Sequence, residues 1–184
     1  MNKKILFIIG SFRENSFHET IAENVKQLIG NRAEVKVLNY KNIPLYNQDL
    51  EINGGVSEVN ELRKYVQEFD GIWIFSPEYN GQIPGILKNV LDWLSRSLDS
   101  NNSRGKSAVH QKPVTITAGA GAPKAPNVRR NLAELLPFMR MSLIYGEGVG
   151  LTFTADTWNT GIFRPSIEEL TELNKQVEEF LTAL

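Results

Sequence analysis

Two patterns alternate along this chain: short stretches that are apolar throughout, and longer ones whose apolar residues recur every three or four positions. Ile5-Leu6-Phe7-Ile8-Ile9 has no polar break, as expected of a parallel strand buried on both faces. Gly71 to Phe75 and Pro113 to Thr117 read as further central strands, and Ala33 to Leu38 alternates like a strand less deeply buried. Ser142 to Tyr145 and Val149 to Phe153 read as one last strand with a glycine break. Between these runs the spacing predicts helices. Residues 16–29 carry Ile21, Val25, Leu28 and Ile29 behind a Ser16/Glu19 capping box, and residues 57–69 carry Val59, Leu62, Val66 and Phe69. Residues 84–95 begin at Pro84, where a missing N–H costs nothing, and 128–139 look helical with Pro137 near the end. Ser166 and Glu169 cap a final amphipathic helix running to Leu181.

Strands and helices thus alternate five times, with no internal repeat. That order argues for one α/β domain over residues 1–184, a sheet with helices on both faces. In such sheets ligands bind beyond the carboxyl ends of the strands. Three informative turns follow strands: 10–16, 77–82 and 118–121. All three are expected on one edge, so the coarse fold predicts a single site built from three loops. Residues 40–55 form a long polar loop carrying Ile43-Pro44-Leu45-Tyr46, read as a functional flap, and residues 96–112 read as a solvated connection.

Composition narrows the chemistry. The 184 residues are 41% hydrophobic and 22% charged, ordinary for a globular domain with a full-sized core. Twenty Lys and Arg against 21 Asp and Glu leave a net charge of −1, which offers nothing to nucleic acid or an anionic membrane. There are no cysteines, which excludes disulfides, thiolate catalysis and cysteine-held clusters; two histidines argue against a histidine-rich metal site. The apolar run after Met1 is too short for a secretion signal and ends without a small-residue cleavage site, so a cytoplasmic protein is expected.

Each loop has two readings. Gly10 to Ser16 runs into a helix start, where free backbone N–H groups, the Ser11 and Ser16 hydroxyls and Arg13 suit a phosphate; the other reading is a capped helix with a solvated arginine. The Walker pattern is absent. Pro77 to Gln82 offers restrained backbone and Asn80, able to donate and accept against a heteroaromatic edge, or else is a tight connection without a ligand. Glu78 reads as structural, paired with a cation such as Arg13 or Lys88. Thr117 to Gly121 offers free amides for close packing on a ring edge, or is a plain turn. His18 reads as a surface or near-phosphate residue, Trp73 and Trp93 as core, and Trp158 as a rim or interface residue. Arg129 and Arg130 read as a solvated pair, and the apolar girth around Val90, Leu91, Trp93 and Leu94 hints at a partner subunit.

Gly10-Ser11-x-Arg13-x-x-Ser16 and Pro77-Glu78-Tyr79-Asn80, followed by Ile83-Pro84-Gly85-x-Leu87-Lys88-Asn89-x-x-Asp92-Trp93, resemble the motifs of the NAD(P)H-dependent FMN reductases of flavodoxin-like fold, which include quinone, azo-dye and chromate reductases. The resemblance runs through the order of elements from end to end. It implies a three-layer sandwich around a five-stranded parallel sheet of order 2-1-3-4-5, binding FMN without a covalent bond. By it, Ser11, Arg13 and Ser16, with the backbone through Glu14 and Asn15 to Phe17, hold the phosphate. Pro77, Glu78, Tyr79 and Asn80 border the ring, and the turn at Ala118 and Gly119 closes its other side. It also implies NADPH or NADH as donor, a small-molecule acceptor such as a quinone, azo compound or free flavin, and a homodimer or homotetramer. No side chain is expected to act as acid or base, since the cofactor carries the chemistry. The chain departs from the family at His18, often Asn, at Gln82, often a small polar residue, and near Ala118–Gly119, often Ser. Rival readings are a flavodoxin-like electron carrier, against which the balanced charge counts, and a flavin-binding regulatory protein without turnover.

Overall fold

The computed structural model describes residues 2–52, 55–99, 101–122 and 124–184. Residues 53–54 of the long loop, residue 100 of the polar connection and residue 123 of the small-residue turn lie outside them. In chain order the elements are β1 (Lys3–Ile9), α1 (Phe17–Ile29), β2 (Ala33–Val37), α2 (Gln48–Ile52), α3 (Ser57–Gln67), β3 (Gly71–Pro77) and α4 (Gly85–Ser95). There follow β4 (Pro113–Ala120), α5 (Pro126–Phe138), β5 (Ser142–Leu143), β6 (Val149–Thr152), α6 (Ala155–Thr160) and α7 (Ile167–Ala183).

All strand pairings among the described residues are parallel, in the order β2-β1-β3-β4-β5, with β6 also on β4. β5 and β6 share one lane. Pro113 and Val114 at the start of β4 face Ser142 and Leu143, while Thr117 to Ala120 at its end face Val149 to Thr152. This is the broken last strand the sequence predicts. The break is steric at Gly148: it sits at φ +73°, and a Cβ there would lie 1.9 Å from the Ile116 carbonyl oxygen.

The apolar run of β1 has the meaning assigned to it. Ile5, Phe7 and Ile9 pack with α1 and α7 residues such as Ile21, Val25, Val177 and Phe180, whereas Leu6 and Ile8 pack on the other face with Leu62, Val66, Leu91 and Leu132. Alternate side chains fill opposite layers, which is why no polar residue interrupts the run. The core also holds a polar chain whose members satisfy one another. Trp73 Nε1 donates to Thr117 Oγ1 (2.9 Å), Thr117 Oγ1 to Gln176 Oε1 (2.9 Å), and Gln176 Nε2 to Thr115 Oγ1 (2.8 Å) and the Ile116 carbonyl (2.6 Å).

Several expectations change. The flap is clamped: Pro44 carbonyl accepts from Trp93 Nε1 (2.8 Å) and Asn89 Nδ2 (2.9 Å), and Tyr46 N donates to Asn89 Oδ1 (2.8 Å). Residues 48–52 are helical, and Glu51 accepts from Arg96 Nε (2.9 Å) and lies 3.7 Å from Arg63 Nη2. This loop and the sheet cover the apolar girth of α4, whose Leu87, Val90, Leu91, Trp93 and Leu94 are all buried within the chain. The girth therefore lends no support to a partner subunit. Ala108 and Val109 in the polar connection are core residues. Arg129 is not simply solvated, because its Nη1 donates to the Gly148 carbonyl (3.2 Å) and ties α5 to the strand break.

Candidate functional site

The carboxyl ends of β1, β3, β4 and β6 enclose a cavity of about 320 Å³. Ser11, Arg13, Ser16 and Phe17 line it from the first loop, Pro77, Glu78 and Tyr79 from the second, and Gly119 from the third. The parallel sheet explains the convergence, since every strand points its carboxyl end to the same edge. Another cleft, about 370 Å³ between α2, α3 and α4, is lined by Glu51, Arg63 and Trp93 and touches none of these strand ends.

The first loop gathers hydrogen-bond donors and one cation at the edge of the cavity. Ser16 caps α1 through the predicted reciprocal box: its Oγ accepts from Glu19 N (3.2 Å) and its own N donates to Glu19 Oε2 (3.1 Å). The hydroxyl hydrogen of Ser16 remains available. Ser11 Oγ accepts from Arg13 N (3.3 Å), and Asn15 bends the chain at φ +55°. The amides of Phe12, Glu14 and Asn15 have no hydrogen-bond partner among the described residues. Arg13 has no carboxylate partner there either; its guanidinium lies 5.2 Å from the Phe17 ring centre. Glu14 and Asn15 contribute backbone to this curve, but their side chains point to solvent and do not line the cavity.

In the second loop, Asn80 (φ +53°) and Gly81 (φ +70°) form a two-residue turn, closed by paired bonds between Tyr79 and Gln82 (3.2 and 2.9 Å). The Asn-Gly dipeptide is the sequence signature of that turn. Asn80 stands at its exposed tip, away from the cavity. Glu78 is structural as expected, with a different partner. Its Oε2 accepts from the amides of Asn127 (2.9 Å) and Val128 (3.0 Å) and its Oε1 from Asn127 Nδ2 (3.2 Å), so it caps α5 from a distance. α5 needs this cap because Ala125, at the N-cap position, has no side chain able to accept. Lys88 pairs with Asp92.

The third loop is less of a loop than expected. Ala118, Gly119 and Ala120 belong to β4 and pair with Gly150, Leu151 and Thr152, and Ala120 carbonyl accepts from Phe153 N (2.7 Å). The small residues serve packing rather than free amides. Ala118 is wholly buried in the core and does not line the cavity.

Five further residues complete the wall: His18, Ala120, Gly121, Phe153 and Trp158. His18 is buried instead of exposed, edge-on to Phe153, and its Nε2 has no hydrogen-bond partner among the described residues. Burial lowers its pKa to about 4, an effect the Arg13 charge reinforces and backbone groups of Gly119 and Ser76 oppose. Phe153 directly follows the last strand and lies outside the predicted set; the strand-end rule that pointed to the other three loops applies to it too. Trp158 stands on the rim, as one of its two readings held.

An open parallel sheet of this order, covered by helices on both faces and with a cavity at its strand ends, defines a flavodoxin-like protein. Residues 3–156 match the sequence profile of the NADPH-dependent FMN reductases, and the chain belongs to that family. It is an oxidoreductase of FMN and NAD(P)H. A quinone reductase of Escherichia coli is 32% identical over 139 residues, 74% of this chain and 70% of that protein. A quinone reductase of Pseudomonas putida is 29% identical over 157 residues, covering 81% and 80%. The fold is shared with FerB, a flavoenzyme NAD(P)H:(acceptor) oxidoreductase of Paracoccus denitrificans, at a TM-score of 0.82 and 22% identity over 98% of this chain and 96% of that one. Among the described residues, no helix is long and apolar enough to cross a membrane, and no group of His, Asp and Glu is placed to hold a metal.

Proposed function

We propose that the cavity at the strand ends holds FMN, and that the chain uses it to reduce a quinone or a similar small acceptor at the expense of NAD(P)H. The observation that carries this reading is the convergence of the Ser11–Phe17 loop and the Pro77–Tyr79 turn on one cavity. The residues fit the group: among the described residues Arg13 has no carboxylate partner, the Phe12, Glu14 and Asn15 amides have no acceptors, and the buried His18 Nε2 has no partner. A phosphate ester supplies acceptors for the loop donors, and charge-assisted bonds contribute about 1.5–3 kcal/mol each.

When bound, FMN supplies the hydride chemistry, accepting from the nicotinamide and giving to the acceptor. The protein's part is to bind and orient. Arg13, Ser11, Ser16 and the loop amides hold the phosphate, and Pro77, Tyr79 and the backbone at Gly119 border the ring. Glu78 has its oxygens committed to α5, and burial keeps the His18 imidazole neutral, so neither is assigned a proton-transfer role. The two half-reactions alternate in this reading, the nicotinamide leaving before the acceptor takes its place.

The same reading takes the protein as cytoplasmic, where NAD(P)H is available, and as a homodimer or homotetramer, with exposed Leu45, Ile52 and Leu98 as supporting apolar surface. Titration of the purified protein with FMN, followed by anaerobic NADPH and benzoquinone, tests the activity. Expected are raised melting temperature, bleaching of the visible band by NADPH, recovery with benzoquinone and parallel initial-rate lines. No FMN binding overturns the site, binding without NADPH bleaching favours a carrier, and intersecting lines overturn the alternation.

A further inference from the structure

Trp158 is a large apolar side chain left 58% exposed on the rim of the cavity. Its covered edge is pinned twice: the indole lies 5.3 Å from the Phe17 ring at 74° and 5.6 Å from the Phe153 ring at 83°. Phe17 in turn carries the Arg13 guanidinium. The indole therefore stands at the Arg13 end of the cavity, whose lining also includes Tyr79 of the second loop. It is fixed there by α6, a short helix capped by Thr154, whose Oγ1 accepts from Thr157 N (3.2 Å), and ended by Gly161 at φ +71°. The family match stops at residue 156, so this wall lies beyond the pattern shared with the family profile.

We infer that Trp158 is the outer wall of the phosphate corner, a positioning residue whose free indole surface is covered when FMN binds and which thereby slows release of the flavin. The inference rests on the proposed FMN site and deepens it, because it makes FMN a resident group instead of a substrate that leaves after each turnover. The physical reason is area. An exposed aromatic face beside a ligand loses contact with water only while the ligand stays, so its contribution appears in the dissociation rate more than in the encounter. The rigidity supplied by Phe17 and Phe153 means that little side-chain freedom is lost when the face is covered.

The test is release of FMN from the reconstituted protein, followed by recovery of free-flavin fluorescence after dilution to a concentration at which rebinding is negligible. Trp158→Ala is expected to release FMN at least about 10-fold faster, or 1.4 kcal/mol, with an association rate within about 2-fold and a melting temperature without flavin lowered only by the loss of its two aromatic contacts. Trp158→Phe, which keeps an aromatic wall, is expected to recover most of the slow release. Arg13→Ala is the control for the site itself. Wild-type release from Trp158→Ala, together with FMN loss by Arg13→Ala, overturns the wall and leaves the site standing. Unaltered FMN binding by Arg13→Ala overturns the site. A Trp158→Ala protein that changes only its sedimentation coefficient, with release unaltered, shows Trp158 to be a subunit contact and overturns the inference.

Discussion

A Cβ placed on Gly119 would lie 2.4 Å from Cζ of Phe153. The end of β4 and the residue after β6 are thus fitted to each other without space for one methyl, and the Phe153 ring occupies the space left by the missing side chain to form the cavity floor. Gly119→Ala drives that ring outward into the cavity. Overpacking of this kind costs about 1–3 kcal/mol, and FMN binding should weaken at the same time. Chemical denaturation and FMN titration check the two effects; a variant that loses neither shows that the ring moves away at no cost.

Glu78 holds the start of α5 by three hydrogen bonds from Asn127 and Val128. Glu78→Ala leaves those donors without a partner and should lower stability by about 1–3 kcal/mol. For a chain of this size that is roughly 2–4 °C of melting temperature per kcal/mol. Glu78→Gln, which keeps one acceptor oxygen, is expected to lose less, and calorimetry of the two variants makes the comparison.

His18 makes stability depend on pH. Its folded-state pKa is about 4, against 6.5 for an unperturbed imidazole. Between those values the unfolded chain binds the extra proton, so stability is complete above 6.5 and falls as pH drops toward 4, by about 3 kcal/mol in all. His18→Asn should remove this component. Urea unfolding at pH 7 and pH 4.5 gives the readout, and the difference between the two pH values should shrink in the variant.

The clamp on residues 40–52 converges on Glu51, which accepts from Arg96 and Tyr46 and faces Arg63, itself donating to the Trp93 carbonyl. Glu51→Ala leaves two guanidinium groups side by side, one of them buried. A loss of about 1.5–3 kcal/mol is expected, with faster proteolysis confined to the loop. Uniform proteolysis across the chain would point to global destabilisation instead.

Arg13 separates charge from ring recognition. Arg13→Ala is expected to weaken FMN by roughly 10- to 100-fold, the worth of a charge-assisted bond. Riboflavin, which has no phosphate, should bind to variant and wild type alike. Equal losses for both ligands would place the arginine elsewhere on the flavin.

What sequence revealed and what it hid divides by range. The unbroken β1 run, the Ser16–Glu19 box and the strand-helix alternation depend on residues a few positions apart, and each was legible. The sheet with helices on both faces followed from that alternation, and with it the gathering of three loops on one edge, while the strand order came from the family resemblance. The Asn80–Gly81 turn was legible too, yet the same signal that marks a tight turn places Asn80 at its tip, away from the cavity. Ala118 and Gly119 were read for their smallness; Ala118 lies in the core, whereas Gly119 lines the cavity and is small as well because the ring of Phe153 fills the place of a side chain.

By itself, then, the sequence determined the elements, their order and the two motifs that meet at the site, because periodicity, caps and turns act over one or two helical turns. Tertiary structure alone decided that Glu78 serves α5, 49 residues away, that Pro44 to Glu51 is clamped onto α4, and that Phe153 and Trp158 complete the wall. Those pairings depend on which surfaces meet when the sheet twists and the layers close, and no short-range pattern encodes a partner chosen by packing.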